Sequence, residues 1–100
     1  MSGAPYAIAW AAPARRALVR LPENVSVAVV EFLYGSLATD PLRVGKPLKL
    51  GLEGLHSARR GEYRVIYRVD VAGSRVEVVA IEHRADVYRP RTPPPPRGRR

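Results

Sequence analysis

The stretch Tyr63-Arg64-Val65-Ile66-Tyr67-Arg68-Val69-Asp70-Val71-Ala72-Gly73-Ser74-Arg75-Val76-Glu77-Val78-Val79-Ala80-Ile81-Glu82 decides the fold. Tyr63, Val65, Tyr67 and Val69 fall on one face of an extended chain, and Arg64, Ile66 and Arg68 on the other. Ala72-Gly73-Ser74 is a hairpin turn, and Arg75 to Glu82 reads as the returning strand. Just upstream, Leu55 to Arg59 forms a shorter strand that Gly61 turns into Tyr63. Three consecutive strands therefore build an antiparallel meander.

Between Leu42 and Gly54 the chain carries Gly45, Pro47, Gly51 and Gly54, which predicts mostly loop after the turn signal Thr39-Asp40-Pro41. From Glu23 to Ser36, Val25, Ala28, Val29, Phe32 and Leu33 make a helical stripe, and Gly35 sits where a helix stop belongs. Before it, Ala14, Ala17, Leu18 and Leu21 mark the apolar face of another helix, opened by Pro13 in its first turn. Pro22 separates the two helices. Tyr6-Ala7-Ile8-Ala9-Trp10 alternates large and small side chains, as a first strand does. The reading is an α+β domain of order β-α-α-β-β-β. It has a small, mostly antiparallel sheet with a two-helix hairpin packed on one face.

Residues 1–89 are expected to form that single domain, with a short helical turn near Arg84 to Arg89. Residues 90–100, with Thr92-Pro93-Pro94-Pro95-Pro96 and a run of arginines, read as an extended, disordered Pro/Arg-rich tail. A domain this small has a thin core, so a partner that covers apolar surface would matter.

The charge narrows the function. Lys plus Arg is 17 against 9 Asp plus Glu, a net charge of +8. All but Lys46 and Lys49 of those cations are arginine, whose planar fork grips phosphate in two places and stacks on bases. An acidic or polyphosphate partner follows. The absence of cysteine excludes disulfides and thiolate metal sites. No signal-peptide pattern or membrane-length apolar run is visible, so a cytoplasmic protein without a membrane partner is expected. Two histidines and scattered carboxylates give no metal-ligand cluster, and no phosphate-binding glycine loop occurs. No cofactor and no metal are expected.

Leu55-His56-Ser57-Ala58-Arg59-Arg60-Gly61-Glu62-Tyr63-Arg64-Val65-Ile66-Tyr67 resembles the central hairpin of the RelE/ParE superfamily of bacterial toxins, closest to its RelE-type messenger-RNA endoribonucleases. Glu82-His83-Arg84-Ala85-Asp86-Val87-Tyr88 resembles the C-terminal motif of the same family. The likeness spans roughly Tyr6 to Arg89. It implies the toxin component of a type II toxin–antitoxin system: a metal-independent, ribosome-dependent endoribonuclease acting on translated mRNA. Its partners would be mRNA on the ribosome and a cognate acidic antitoxin.

The residue types suit that chemistry. RNA cleaves when its 2′-hydroxyl attacks the adjacent phosphate, and fixed cations around the phosphate stabilise the charge that develops. The resemblance assigns the phosphate contacts to Arg64 and Arg84, and the nucleotide-orienting aromatic to Tyr88. Arg59 flanks the same hairpin as Arg64. Tyr88, among guanidinium groups, and His83, with an ordinary pKa near neutrality, are candidate proton carriers. Lys46, Lys49, His56, Ser57 and Arg60 are expected to bind RNA around that centre. The best-known family member carries two lysines on the strand where this chain has Leu55 and Ser57. His56, Lys46 and Lys49 are the candidates to replace the missing proton acceptor, since arginine stays protonated. Two other functions remain open. One is a ParE-type toxin that inhibits DNA gyrase without cutting RNA. The other is a nonenzymatic, basic RNA- or ribosome-binding module.

Overall fold

The computed structural model describes residues 5–48 and 54–83. Strand β1 (Ala7–Trp10) leads into α1 (Ala12–Arg20) and α2 (Glu23–Phe32). A short helix α3 (Pro41–Val44) and a two-residue strand β2 (Lys46–Pro47) follow, and then β3 (Leu55–Arg60), β4 (Tyr63–Asp70) and β5 (Arg75–His83). The sheet order is β1-β5-β4-β3-β2. β2 to β5 run antiparallel, while β1 lies parallel to β5, with Ala7 opposite Arg75 and Trp10 opposite Val78. The sheet is thus mixed, with one parallel pair at its edge.

Pro13 sits in the first turn of α1, where its missing N–H costs nothing. Pro22 caps α2, its carbonyl accepting from Val25 and Ser26. The helix pair packs on one face of the sheet. Ala14, Val29, Phe32, Leu33 and Leu37 meet Ala58, Tyr63, Val65, Tyr67, Val76, Val78 and Ile81 in one apolar cluster. Trp10 packs at its edge, its indole N–H donating to the Tyr34 hydroxyl at 3.0 Å.

Two local expectations need correction. Gly35 does not stop the second helix. The chain widens there into a π-helical turn, Leu33–Leu37, and stays helical through Thr39. Gly35 is not in the left-handed conformation that a glycine stop requires. Packing explains the extension: Leu37 and Ala38 are buried, so ending at Gly35 would leave both without a place in the core. The segment read as mostly loop also holds α3 and the edge strand β2. Gly45 joins them because nothing larger fits. A Cβ there would collide with the Tyr67 hydroxyl and lie 2.8 Å from the Ser57 carbonyl oxygen.

Gly61 (φ 59°) occupies the left-handed region in the two-residue turn between β3 and β4. Asp70 Oδ1 accepts the Gly73 N–H at 3.0 Å in the next turn. Between those turns β5 contains an irregularity that governs the site. Ile66 pairs with Ala80, but the next residue, Tyr67, pairs with Val78. The extra residue, Val79, is a β-bulge, and beyond it every β5 side chain has exchanged faces.

Candidate functional site

The helices leave one face of the sheet open. Three rows of side chains cross it beside a fourth of Ala7, Arg75 and Asp70 at the far end. The first joins Arg59 on β3, Arg64 on β4 and Glu82 on β5. The second runs Lys46, Ser57, Ile66 and Ala80. The third runs Leu55, Arg68, Glu77 and Ala9. A small, mostly uncharged middle row thus separates two charged ones.

Arg59 and Arg64 are direct cross-strand partners. Two cations directly opposite one another destabilise a strand pair. Glu82 offsets part of that repulsion: its Oε1 accepts from Arg64 Nη1 at 3.4 Å. In the third row, Arg68 Nη1 donates to Glu77 Oε1 at 3.1 Å. Among the described residues Arg59 and Lys46 make no ion pair. Positive charge therefore concentrates toward the β2–β3 side, while β4 and β5 largely neutralise one another.

The site residues expected from the sequence divide into three sets. Arg59, Arg64, Ser57 and Lys46 share the open face. His56, Arg60 and His83 do not join them. His56 lies opposite Tyr67 and stacks on its ring, centroids 5.5 Å apart. The Arg60 guanidinium lies 5.0 Å above the Phe32 ring, on the helix side. His83 lies opposite the buried Tyr63. Simple alternation along β5 from Arg75 and Glu77 would have placed His83 on the open face, and the bulge at Val79 reverses it. His56 Nδ1 and His83 Nε2 are buried without a hydrogen-bond partner among the described residues, a poor setting for shuttling protons at the open face. Lys49, Arg84 and Tyr88 lie outside the described residues, as do the turn expected at Arg84 to Arg89 and the tail.

The two strand tyrosines belong to the core. The Tyr67 hydroxyl donates to the Pro41 carbonyl at 2.6 Å. Burial pushes its pKa up to about 12, against the smaller opposing effect of a hydrogen bond from the Gly45 backbone. The Tyr63 hydroxyl donates to the Ala28 carbonyl at 3.2 Å, and burial raises its pKa too, although nearby Arg60 works in the other direction. Both phenols stay protonated and structural.

From the sequence Glu82 stands out only as the first residue of the C-terminal motif. The structure makes it the direct partner of Arg64. The signal was present in the chain: the apolar positions Val76 and Val78 are even, whereas Ile81 is odd. A change of parity within one strand marks a bulge.

Residues 8–88 match the family model described as the ParE toxin of the type II toxin–antitoxin system parDE. The chain belongs to the RelE/ParE superfamily of toxins. It is 53% identical over 85 residues to a protein named Toxin RelE from Mycobacterium tuberculosis, covering 85% of this chain and 88% of that one. It is 49% identical over 85 residues to Toxin RelG of the same organism, covering 85% and 98%. Among solved structures it superimposes on a chain of an M. tuberculosis RelBE toxin–antitoxin complex with a TM-score of 0.80 and 47% identity, covering 85% of this chain and 98% of that one. These likenesses make it a RelE-type toxin. They also agree with the α+β architecture read from the sequence.

Proposed function

We propose that this RelE-type toxin is a ribosome-dependent endoribonuclease that cuts translated mRNA. The observation that carries the reading is the opposed pair Arg59 and Arg64 on an open sheet face. Folding alone disfavours such a pair, whereas a phosphodiester placed between the two guanidinium groups would be held by charge-assisted hydrogen bonds from both sides. Within the family motifs, Arg84 and Tyr88 would complete the site from the segment that follows β5.

In the proposed reaction the 2′-oxygen attacks phosphorus as its proton passes to a base. The bond from phosphorus to the 5′-oxygen breaks, and that oxygen takes up a proton. The products are a 2′,3′-cyclic phosphate and a 5′-hydroxyl. The arginines stabilise the charge gathering on the phosphoryl oxygens, and the scheme needs no metal. His56 and His83 face the helices, so the proton acceptor is to be sought among Tyr88, Lys46 and Lys49. Among the described residues the open sheet face has no walls to hold a flexible RNA, and the ribosome would supply them. Such work takes place in the cytoplasm.

A cognate antitoxin is the proposed partner, as in the solved complexes of relatives. Its apolar side would fit the groove between α1 and α2, lined by Leu18, Val19, Leu21, Val27 and Val30. There Val19 is 80% and Val27 49% exposed. An acidic segment of the antitoxin would cover the arginines.

Primer-extension mapping of messages after brief induction tests the enzyme reading. Cuts within translated codons are expected, with a loss of roughly 100-fold or more in Arg64→Ala and in Arg84→Ala. Unchanged cutting in both folded variants would overturn it. The family model carries the name of the ParE toxins, so a supercoiling assay with purified gyrase belongs beside it. Inhibited gyrase with intact messages would favour that mode of action.

A further inference from the structure

We propose that Glu82 is a built-in competitor for the phosphate: it holds the Arg64 guanidinium over the sheet and releases it only to an anion that arrives well oriented. The proposal rests on the reading of Arg64 as a phosphate ligand.

The register across the bulge makes Glu82 the cross-strand partner of Arg64, with Arg59 on the other side of it. Arg64 therefore stands between a cation that repels it and a carboxylate that draws it away. At 3.4 Å the contact is longer than the 2.7–2.9 Å of a tight charge-assisted hydrogen bond. The Arg68–Glu77 pair on the same face closes to 3.1 Å. Side-chain exposures of 40% for Arg64 and 34% for Glu82 leave the pair accessible to a ligand while shielding it partly from water. An RNA phosphate that engages Arg59 and Arg64 together lies on the other side of Arg64 from Glu82, so phosphate and carboxylate compete for the same guanidinium. A stray phosphate in bulk RNA meets an arginine already occupied. A phosphate held in place by a larger assembly displaces the carboxylate more readily, because its ordering cost has been met elsewhere. Glu82 thus sets a threshold against nonspecific RNA and acts through Arg64 as a positioning residue.

The experiment is a double-mutant cycle on binding. A short single-stranded RNA carrying 2′-O-methyl groups, which cannot be cleaved, is titrated into the full chain at several salt concentrations. Glu82→Gln is expected to tighten binding by about three- to tenfold at low salt and to steepen its salt dependence, as one more available cation would. Glu77→Gln makes the same charge change on the same face and should give a clearly smaller gain. In an Arg64→Ala background the effect of Glu82→Gln should shrink to that of Glu77→Gln. Equal gains from the two glutamate substitutions, a gain that survives in Arg64→Ala, or weaker binding by Glu82→Gln would each overturn the proposal. Arg64→Ala separates the two levels of argument. If it binds RNA like the unaltered chain, the phosphate-ligand reading itself fails. If it binds weakly while Glu82→Gln changes nothing, only the competitor fails. Should Glu82→Gln not fold, Glu82→Asp keeps the charge and shortens its reach. It should tighten binding by a smaller factor, and that gain too should vanish with Arg64→Ala.

Discussion

The two faces of the sheet are built from alternate residues of the same strands, yet different physics holds them. On the helix side Tyr63, Val65, Tyr67, Val76, Val78 and Ile81 are at most 7% exposed, and each is fixed by neighbours on several sides. On the open side Arg64, Arg68, Glu77 and Glu82 are held by two pairings across strands that water can reach, and Arg59 makes no ion pair among the described residues. A change on the first face should therefore register as stability, and a change on the second as binding. The sharpest test is Tyr67, which is fully buried. Tyr67→Ala should cost about 3–5 kcal/mol in urea unfolding, a large share of the 5–15 kcal/mol typical of a domain. Arg64→Ala, three residues away on the same strand but on the opposite face, should leave the midpoint nearly unmoved.

Alkaline pH probes the same contrast with a smaller effect. Folding raises the Tyr67 pKa from 10.0 to about 12, so the folded chain retains the phenolic proton where the unfolded chain has lost it. The stabilisation is whole below about pH 10 and is lost as the pH climbs toward 12, by roughly 2–3 kcal/mol at most. Tyr67→Phe should flatten much of that decline. It should also cost about 1–2 kcal/mol at neutral pH, because the Pro41 carbonyl loses its donor. Unfolding midpoints measured from pH 7 to 11.5 would show both effects. A decline as steep in Tyr67→Phe as in the unaltered chain would assign it to other groups.

Legibility in the sequence followed the same division. The helix face could be read because apolar side chains recur at the period of the element that buries them. Tyr63, Val65 and Tyr67 declare β4, and Val29, Phe32 and Leu33 declare α2. The shared hairpin of Arg59 and Arg64 could also be read, since Gly61 leaves little choice of register. What escaped were the places where a local signal is outvoted at a distance. Gly35 resembles a stop, but Leu37 and Ala38 need the core, and the helix widens to bring them there. The β3 strand carries Leu55 on the open face and Ala58 in the core, so its apolar residues have no common parity. Nothing in that strand then says that His56 and Arg60 turn toward the helices. The bulge at Val79 has the widest consequence, for one extra residue moves His83 off the open face and brings Glu82 onto it.

The smallest predicted effect tests whether the open face contributes to folding at all. Arg68 and Glu77 form the shortest ion pair among the described residues, 3.1 Å, and both side chains are about half exposed. Water screens such a pair, and two long side chains lose freedom to make it. Its coupling in a denaturant-unfolding cycle of Arg68→Ala, Glu77→Ala and the double variant should be only about 0.2–1 kcal/mol. Added salt should erase most of that. A coupling above roughly 2 kcal/mol that persists in salt would mean the charged rows are part of what folds the sheet. In that case the arginine pair at Arg59 and Arg64 would need no phosphate to account for it, because the surrounding carboxylates would hold it in place for stability alone. A weak, salt-sensitive coupling implies that Glu82 compensates the opposed arginines only in part, and a bound polyanion becomes the remaining reason for that arrangement.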